Sequence, residues 1–115
     1  MKTRRGDVVL VLFPNSDLRT AKRRPALVLQ RNNLGSGLEQ TIVAMISSNL
    51  ARRSHPSRIF VAATSPEGRA AGIRLDSVVM TDNLATVLER EIDSQLGRLP
   101  DITAVDAALK HTLGL

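Results

Sequence analysis

The stretch that decides the fold is Asp7-Val8-Val9-Leu10-Val11-Leu12-Phe13, closed by Pro14-Asn15-Ser16-Asp17. Apolar and β-branched residues dominate the first part, whereas the second part consists of turn formers, so together they predict a strand that runs into a loop. Outward from it, the polar and basic loop from Asn15 to Arg24 leads into Ala26-Leu27-Val28-Leu29-Gln30. This run predicts a second strand, and Pro25 is expected at its first position, where a missing N–H is tolerated.

Further along the chain, short apolar runs alternate with turn-forming residues. Asn32 to Gly37 and Ser65 to Gly68 have the composition of turns. The runs beside them predict a third strand, a fourth strand and two short extended pieces, in that order: Thr41 to Ile46, Arg58 to Ala63, Ser77 to Met80 and Ala85 to Val87.

The end of the chain changes from strand to helix periodicity. From Asp101 onward, the apolar residues lie at the spacing of one helical stripe, with Asp101 as the expected N-cap and Gly114 just past the end. The segment from Arg90 to Leu99 fits either a helix or a strand. Five or six short strands followed by one helix predict a mainly β protein, a small, strongly bent sheet or barrel capped by its C-terminal helix.

Length and composition limit the kinds of protein that this sequence can encode. The 115 residues fit one domain, 1–115, and 43% hydrophobic with 23% charged residues is typical of a folded chain. The absence of cysteine excludes disulfides, thiolate metal sites and cysteine nucleophiles. No apolar stretch approaches the ~20 residues that span a bilayer, and the first residues lack a cleavage site. We therefore expect a cytoplasmic protein.

The net charge of +5 is concentrated at one end of the sequence. Residues 1 to 30 hold seven basic and two acidic residues, whereas residues 31 to 115 hold nine of each. Such a basic region attracts polyanions, with nucleic acid the first candidate, although a solvated surface is an equal alternative. Phe13 and Phe60 are the only aromatic residues, so stacking of bases on aromatic rings is hardly available.

Several kinds of catalytic site find little support in the sequence. His55 and His111 are far apart and outside any ligand-spaced motif, so we assign them no role and expect no metal or cofactor. Gly35-Ser36-Gly37 lacks the Lys-Ser/Thr of a phosphate-binding loop, and the sequence around Ser47 has no nucleophile elbow. A serine hydrolase is disfavoured without being excluded.

What remains is a concentration of arginine beside hydroxyl groups. Lys22-Arg23-Arg24 ends the first loop directly before Pro25, and Ser47-Ser48-Asn49 follows the end of the third predicted strand. The planar guanidinium of arginine matches phosphate oxygens and stays charged, so it can neutralise negative charge that develops on phosphorus. Read alone, the basic triplet would more often be a solvated loop.

At these residues the sequence resembles the MazF/PemK/Kid toxins of bacterial toxin-antitoxin systems, a family of sequence-selective endoribonucleases. The resemblance covers nearly the whole chain. The stretches that carry it are Arg5-Gly6-Asp7-Val8, Arg24-Pro25-Ala26-Leu27-Val28-Leu29-Gln30, Val43-Ala44-Met45-Ile46-Ser47-Ser48-Asn49, Asp76-Ser77-Val78-Val79-Met80-Thr81-Asp82 and the ending from Leu109 to Leu115.

The resemblance implies a small SH3-like barrel of the CcdB/MazF (PemK-like) type, a homodimer, and metal-independent cleavage of single-stranded RNA. It also implies a cognate antitoxin that covers the RNA groove with an extended, often acidic segment. Cleavage in this family proceeds by attack of the RNA 2′-hydroxyl on its own phosphate, which leaves a 2′,3′-cyclic phosphate and a 5′-hydroxyl.

Carried over residue by residue, the resemblance implies catalytic roles for Arg24, Ser47 and Asp82. Kid-like members have an arginine two residues before the aspartate, and Met80 stands there in this sequence. The histidine that some members carry in the first loop is also missing between Asn15 and Arg24. We therefore expect Arg24 to stabilise the phosphorane and Ser47 to hold a nonbridging oxygen, while Asp82 orients Arg24, accepts a proton or contacts a base.

Five further residues are candidates for contacts with RNA: Arg5, Lys22, Arg23, Ser48 and Arg58. Two alternatives to the ribonuclease remain at this point. The first is a CcdB-like module on the same fold that binds gyrase and cleaves nothing. The second, suggested by Met80, is an inactive relative that only binds RNA or an antitoxin.

Overall fold

A computed structural model describes residues 2–115, which form an antiparallel sheet of six strands, two α-helices and one 3-10 turn. No helix within this range is both long and apolar enough to cross a membrane. Along the chain, the elements are β1 (Asp7–Pro14), β2 (Ala21–Val28), β3 (Gln40–Ser47), β4 (Arg58–Val61), α1 (Pro66–Ala71), β5 (Ser77–Leu88), the 3-10 turn (Glu89–Glu91), β6 (Ile92–Arg98) and α2 (Thr103–Leu113).

The sheet has the strand order β4-β5-β3-β2-β1-β6 and is buried on both faces. On one face, Val9, Val11 and Phe13 of β1 pack with Ile92 of the neighbouring strand β6 and with Val87 of β5, three strands away, so the sheet must curl around them. On the other face, Val8 and Leu27 pack beneath α1 and α2, whose buried residues in this cluster are Ala71 and Val105. The expected bent, mainly β architecture with a C-terminal helix is confirmed.

The beginning of β2 was placed wrongly from the sequence. The strand starts at Ala21, because residues 21–24 pair with β1 in a two-stranded ribbon that runs from Pro14↔Ala21 to Val11↔Arg24. Residues 21–23 are exposed and Arg24 is half-buried, so this part of β2 carries few apolar residues and resembled a loop in the sequence. Pro25 consequently lies inside the strand, where β2 pairs with β1 but has not yet joined β3, so its missing N–H breaks no bond to β3.

The predicted turn at Ser65 to Gly68 is the start of a short helix instead. Ser65 is the N-cap, its hydroxyl oxygen accepts a bond from the Gly68 N–H, and Pro66 occupies the first turn. A Cβ at Gly68 would lie 2.0 Å from the Ala62 carbonyl oxygen, so the helix approaches the preceding backbone more closely than any side chain would allow.

The two extended pieces after α1 form one strand, β5, which changes register in its middle. Met80 pairs with Met45 and Leu84 pairs with Ala44, so the three residues between Met80 and Leu84 form an irregularity opposite an uninterrupted β3. Asp82 is the central residue of this irregularity. Such bulges redirect side chains, and here the bulge brings Asp82 to the end of the sheet where β4 begins.

The undecided segment from Arg90 to Leu99 is a 3-10 turn followed by the edge strand β6, which pairs with β1. The C-terminal helix is present and ends at Gly114, whose φ of 71° provides the left-handed cap. Asp101 binds the Thr103 N–H at 2.9 Å, but the N-cap position itself is Ile102.

Candidate functional site

Arg24 and Ser47 stand where two neighbouring strands separate. The last pair that joins β2 to β3 is Ala26↔Met45. Counting two residues outward in the same antiparallel register puts Arg24 opposite Ser47, past the end of this ladder. Since opposite residues share a face, both side chains lie at the gap that opens between the strands. Both also line the same two surface grooves.

The first groove, here called the α1 groove, has a volume of about 510 Å³ and lies between β2 and the segment that follows α1. It has an apolar floor and a rim of basic and hydroxyl side chains. The residues that line it are Leu10, Lys22, Arg23, Arg24, Pro25, Ile46, Ser47, Ser48, Gly72, Ile73, Arg74, Leu75, Ser77 and Leu96.

The second groove, here called the arginine groove, has a volume of about 450 Å³ and shares Arg24 and Ser47 with the α1 groove. Three arginines line it, and no acidic residue does. Its lining residues are Arg24, Met45, Ser47, Asn49, Ala51, Arg52, Arg58 and Met80. Arg24 and Ser47 thus form a divide between two hollows that both carry positive charge.

The guanidinium of Arg24 is bound through one nitrogen and unsatisfied at another. Its Nη2 donates to the Asn15 side-chain oxygen at 3.1 Å. Its Nε is buried and has no hydrogen-bond partner, a condition that no other buried side-chain nitrogen or oxygen shares in residues 2–115. A buried donor without an acceptor costs about 1–3 kcal/mol, and because this Nε has almost no exposed surface, a ligand would reach it only after the side chain shifts.

Ser47 ends β3 and keeps a hydroxyl proton for a ligand. Its oxygen accepts a bond from the Asn49 N–H at 3.1 Å, which fixes the hydroxyl at the mouth of the strand. Since this bond uses only a lone pair, the O–H can still donate. Ser48, the next residue, is exposed and lines the α1 groove only.

Asp82 binds Arg58 rather than Arg24 in the described part of the chain. Arg58 donates from Nε and Nη2 to the two carboxylate oxygens at 3.0 and 3.1 Å. Partial burial raises the pKa of Asp82, but the hydrogen bonds and charge of Arg58 outweigh it and leave the pKa below its ordinary value. Arg58 lies opposite Met80 across the β4–β5 pair, so it brings a guanidinium to the place where this sequence has methionine.

The remaining candidate residues fall into two groups. Lys22 and Arg23 line the α1 groove, where Arg23 also forms an ion pair with Asp93 of β6. Arg5 lies elsewhere: it binds the Leu29 carbonyl at 2.7 Å and pairs with Asp106 of α2, and it lines neither groove. Lys22 and Arg23 thus line the same groove as Arg24 and Ser47, whereas Arg5 lies apart from them.

The acidic residue of the Arg-Gly-Asp stretch is also structural. Asp7 is buried, accepts a bond from Arg98 at 2.8 Å and a second one from the Arg4 N–H at 2.8 Å. Gly6, with a φ of 95°, makes the turn that precedes it.

Two site residues escaped the sequence analysis. Asn15 reaches Arg24 because the β1–β2 hairpin folds back, and Arg52 enters the arginine groove from the loop before β4. Asn15 could have been suspected as a turn residue close to Arg24, whereas nothing distinguished Arg52 from Arg53 beside it. His55 and His111 form an edge-to-face pair with ring centroids 6.2 Å apart, away from both grooves.

Comparison with known proteins identifies the family. A model of the PemK-like, MazF-like toxins of type II toxin-antitoxin systems matches residues 4–113. The curated protein Endoribonuclease MazF6 of Mycobacterium tuberculosis is 33% identical over 107 residues, which cover 90% of each chain.

Solved structures share the fold. A mycobacterial endoribonuclease in complex with its cognate antitoxin superposes with a TM-score of 0.73 at 21% identity, over 99% of this chain and 97% of that one. MazF from Deinococcus radiodurans superposes with a TM-score of 0.75 at 21% identity, over 100% and 99%. Because the family model spans nearly the whole chain and a curated member is 33% identical over 90% of it, the chain belongs to the PemK-like, MazF-like toxins of type II toxin-antitoxin systems.

Proposed function

We propose that this toxin is an endoribonuclease that cuts single-stranded RNA at the divide between the α1 groove and the arginine groove, with Arg24 and Ser47 acting on the scissile phosphate. The observation that carries the proposal is that Arg24 and Ser47 both line the two grooves, where they bring together a guanidinium and a hydroxyl that still has a proton to donate. Both are donors, and a phosphate offers oxygens that would accept from both at once. The 33% identical relative is an endoribonuclease by name, which supports the same activity here.

The proposed reaction needs nothing beyond the chain, the RNA and solvent water. The 2′-oxygen forms a bond to phosphorus and releases its proton to water, the bond from phosphorus to the 5′-oxygen breaks, and the 5′-oxygen gains a proton from Arg24, which water then reprotonates. The products are a 2′,3′-cyclic phosphate and a 5′-hydroxyl. Negative charge on the phosphorane is greatest in the transition state, so fixed donors there accelerate the step.

Arg24 and Ser47 divide this work. The guanidinium stabilises the phosphorane and supplies the proton to the leaving oxygen, while the Ser47 hydroxyl donates to a nonbridging oxygen. Asp82 is a poor proton acceptor because its pKa is lowered and Arg58 engages both of its oxygens. Its role in the proposal is to hold Arg58 at the arginine groove, where Arg58 contacts the RNA backbone.

The RNA lies across Arg24 and Ser47. The nucleotides on one side of the scissile phosphate occupy the α1 groove, and those on the other side occupy the arginine groove. Lys22 and Arg23 contact the backbone in the α1 groove, and Ser48 at its rim offers a further hydrogen bond. Arg52 and Arg58 contact the backbone in the arginine groove. With two aromatic residues in the chain, both outside the grooves, binding depends on charge and hydrogen bonds.

The same surface suits the partners that the family assignment suggests. A cognate antitoxin would cover the basic grooves with an acidic segment, and the similar mycobacterial structure contains a toxin with its antitoxin. For a homodimer, the partly exposed Ile42, Leu84 and Leu88 offer apolar surface on neighbouring strands. The toxin would act in the cytoplasm, where messenger RNA is its substrate.

Incubation of the purified protein with single-stranded RNA in EDTA tests the proposal. We expect fragments that end in a 2′,3′-cyclic phosphate and a 5′-hydroxyl, and no cleavage of an RNA whose scissile nucleotide carries 2′-deoxyribose. Intact RNA together with inhibited gyrase would instead favour the CcdB-like alternative. Retention of uncut RNA would favour the inactive relative, and either result would overturn the proposal.

A further inference from the structure

A chain of hydrogen bonds connects the tip of the β1–β2 hairpin with the guanidinium of Arg24. The Thr20 hydroxyl donates to an Asp17 carboxylate oxygen at 2.8 Å, and the Asn15 side-chain nitrogen donates to the Thr20 hydroxyl oxygen at 2.9 Å. The Asn15 side-chain oxygen then accepts from Nη2 of Arg24 at 3.1 Å. Each bond fixes the direction of the next one.

This order of donors and acceptors has only one self-consistent arrangement. The carboxylate of Asp17 can only accept, so the Thr20 hydroxyl must donate to it and must present its lone pairs to Asn15. Thr20 therefore selects the amide nitrogen of Asn15 and turns the amide oxygen toward Arg24. The backbone closes the same hairpin, since the Asn15 N–H donates to the Thr20 carbonyl at 2.8 Å.

Asp17 is held in turn by three donors at the hairpin tip. Besides the Thr20 hydroxyl, the N–H groups of Arg19 and Thr20 donate to it at 2.8 and 3.0 Å. Leu18, which lies between Asp17 and Arg19, has a φ of 60°, a backbone conformation that a leucine adopts only where its surroundings impose it. The tip is thus built to one geometry although it lies far from the core.

We propose that Asn15 is a positioning residue that orients Arg24 for the reaction, with Thr20 holding Asn15. The inference rests on the proposed function, because it assigns a cause to the orientation of the guanidinium that acts on the phosphate. Asn15 binds Nη2 of the guanidinium, while Nε has no hydrogen-bond partner. A guanidinium held at one nitrogen can offer its remaining terminal N–H groups to the phosphate without reorganisation when the charge develops.

Single-turnover cleavage by Asn15→Ala tests the inference. We expect the rate constant for cleavage to fall ~10- to 100-fold, because small misplacements of a catalytic group have effects of this size, while RNA affinity changes less than about twofold. Ser16→Ala, in the same hairpin, should cleave at the wild-type rate. Thr20→Val should lose part of the activity and Thr20→Ser should retain it.

A double-mutant cycle separates positioning from a merely structural role. If Asn15 acts through Arg24, adding Asn15→Ala to Arg24→Ala should cause no further loss of rate. A full additional loss, or a wild-type rate in Asn15→Ala, would overturn the inference. If Asn15→Ala folds poorly, a cycle that combines Thr20→Val with Arg24→Ala tests the same coupling. Absence of cleavage by the wild-type protein would contradict the proposed function itself, which is a different result.

Discussion

Arg24 and Ser47 occupy opposite positions on β2 and β3, two residues beyond the last pair that joins these strands. The separation of the strands leaves both side chains free of sheet neighbours on their shared edge, and both grooves meet there. The sheet therefore serves as a rigid support that presents a guanidinium and a hydroxyl to one point. This relationship leads to the following predictions.

Ser47→Ala should slow cleavage, because one donor to the nonbridging oxygen is lost. We expect a smaller effect than the ~10²–10³ typical of a lost charge-stabilising donor, since Arg24 remains. Single-turnover rates with saturating enzyme measure it. Ser48→Ala is the matched control and should stay close to the wild-type rate; if Ser48→Ala is the slower variant, the role belongs to Ser48.

RNA affinity should fall steeply with salt, because phosphate contacts release counterions. Five basic contacts from Lys22, Arg23, Arg24, Arg52 and Arg58 predict a loss of about a hundredfold between ~50 and 200 mM salt for a single strand. Binding of an uncleavable 2′-deoxy substrate measures this. Arg58→Ala should reduce the salt slope by ~0.7, whereas Arg90→Ala, in the acidic segment after β5, should leave it unchanged. Equal slopes in both variants would exclude Arg58 from the groove.

The Asp82–Arg58 pair should stabilise the fold only above the pKa of the carboxyl group. Because that pKa is lowered in the folded chain, the contribution is complete at neutral pH and is lost as the pH falls through the folded-state value. Asp82→Asn should therefore lower the free energy of unfolding by up to about 1 kcal/mol at pH 7, since the pair is partly exposed. Urea titrations should show the two proteins converging at acidic pH, below about 4; a constant difference there would contradict this.

Arg5→Ala should affect stability rather than catalysis. Arg5 connects the Leu29 carbonyl to Asp106 of α2, so its removal leaves both acceptors without this partner. We expect a loss of about 1–2 kcal/mol in the free energy of unfolding and a cleavage rate within about twofold of wild type. A large loss of RNA affinity at unchanged stability would instead restore Arg5 to the RNA contacts.

The sequence predicted the fold where apolar periodicity expresses burial. Asp7 to Phe13, Thr41 to Ile46 and the final helix were recognisable because their apolar residues face the core. Residues 21–24 were not, since they are exposed or half-buried, need no apolar side chains and are held by pairing with β1. The short helix α1 escaped because its six residues hold too little periodicity, although its Ser65 cap and Pro66 were visible.

Part of the candidate site could likewise be predicted from the sequence, and part could not. Arg24 and Ser47 could be selected from the sequence, Arg24 by its place before Pro25 and Ser47 by its place at the end of a strand, together with the family resemblance. The contacts of Arg24 with Asn15 and of Asp82 with Arg58 depend on how a hairpin folds back and on a bulge in β5, and neither is encoded by local spacing.

Cleavage of single-stranded RNA by Arg24→Ala in EDTA, beside the wild-type protein, tests the central claim most directly. We predict cyclic-phosphate fragments from the wild-type protein and a rate at least ~10²–10³ lower for a folded Arg24→Ala that still binds RNA. A wild-type rate in the folded variant would contradict the account.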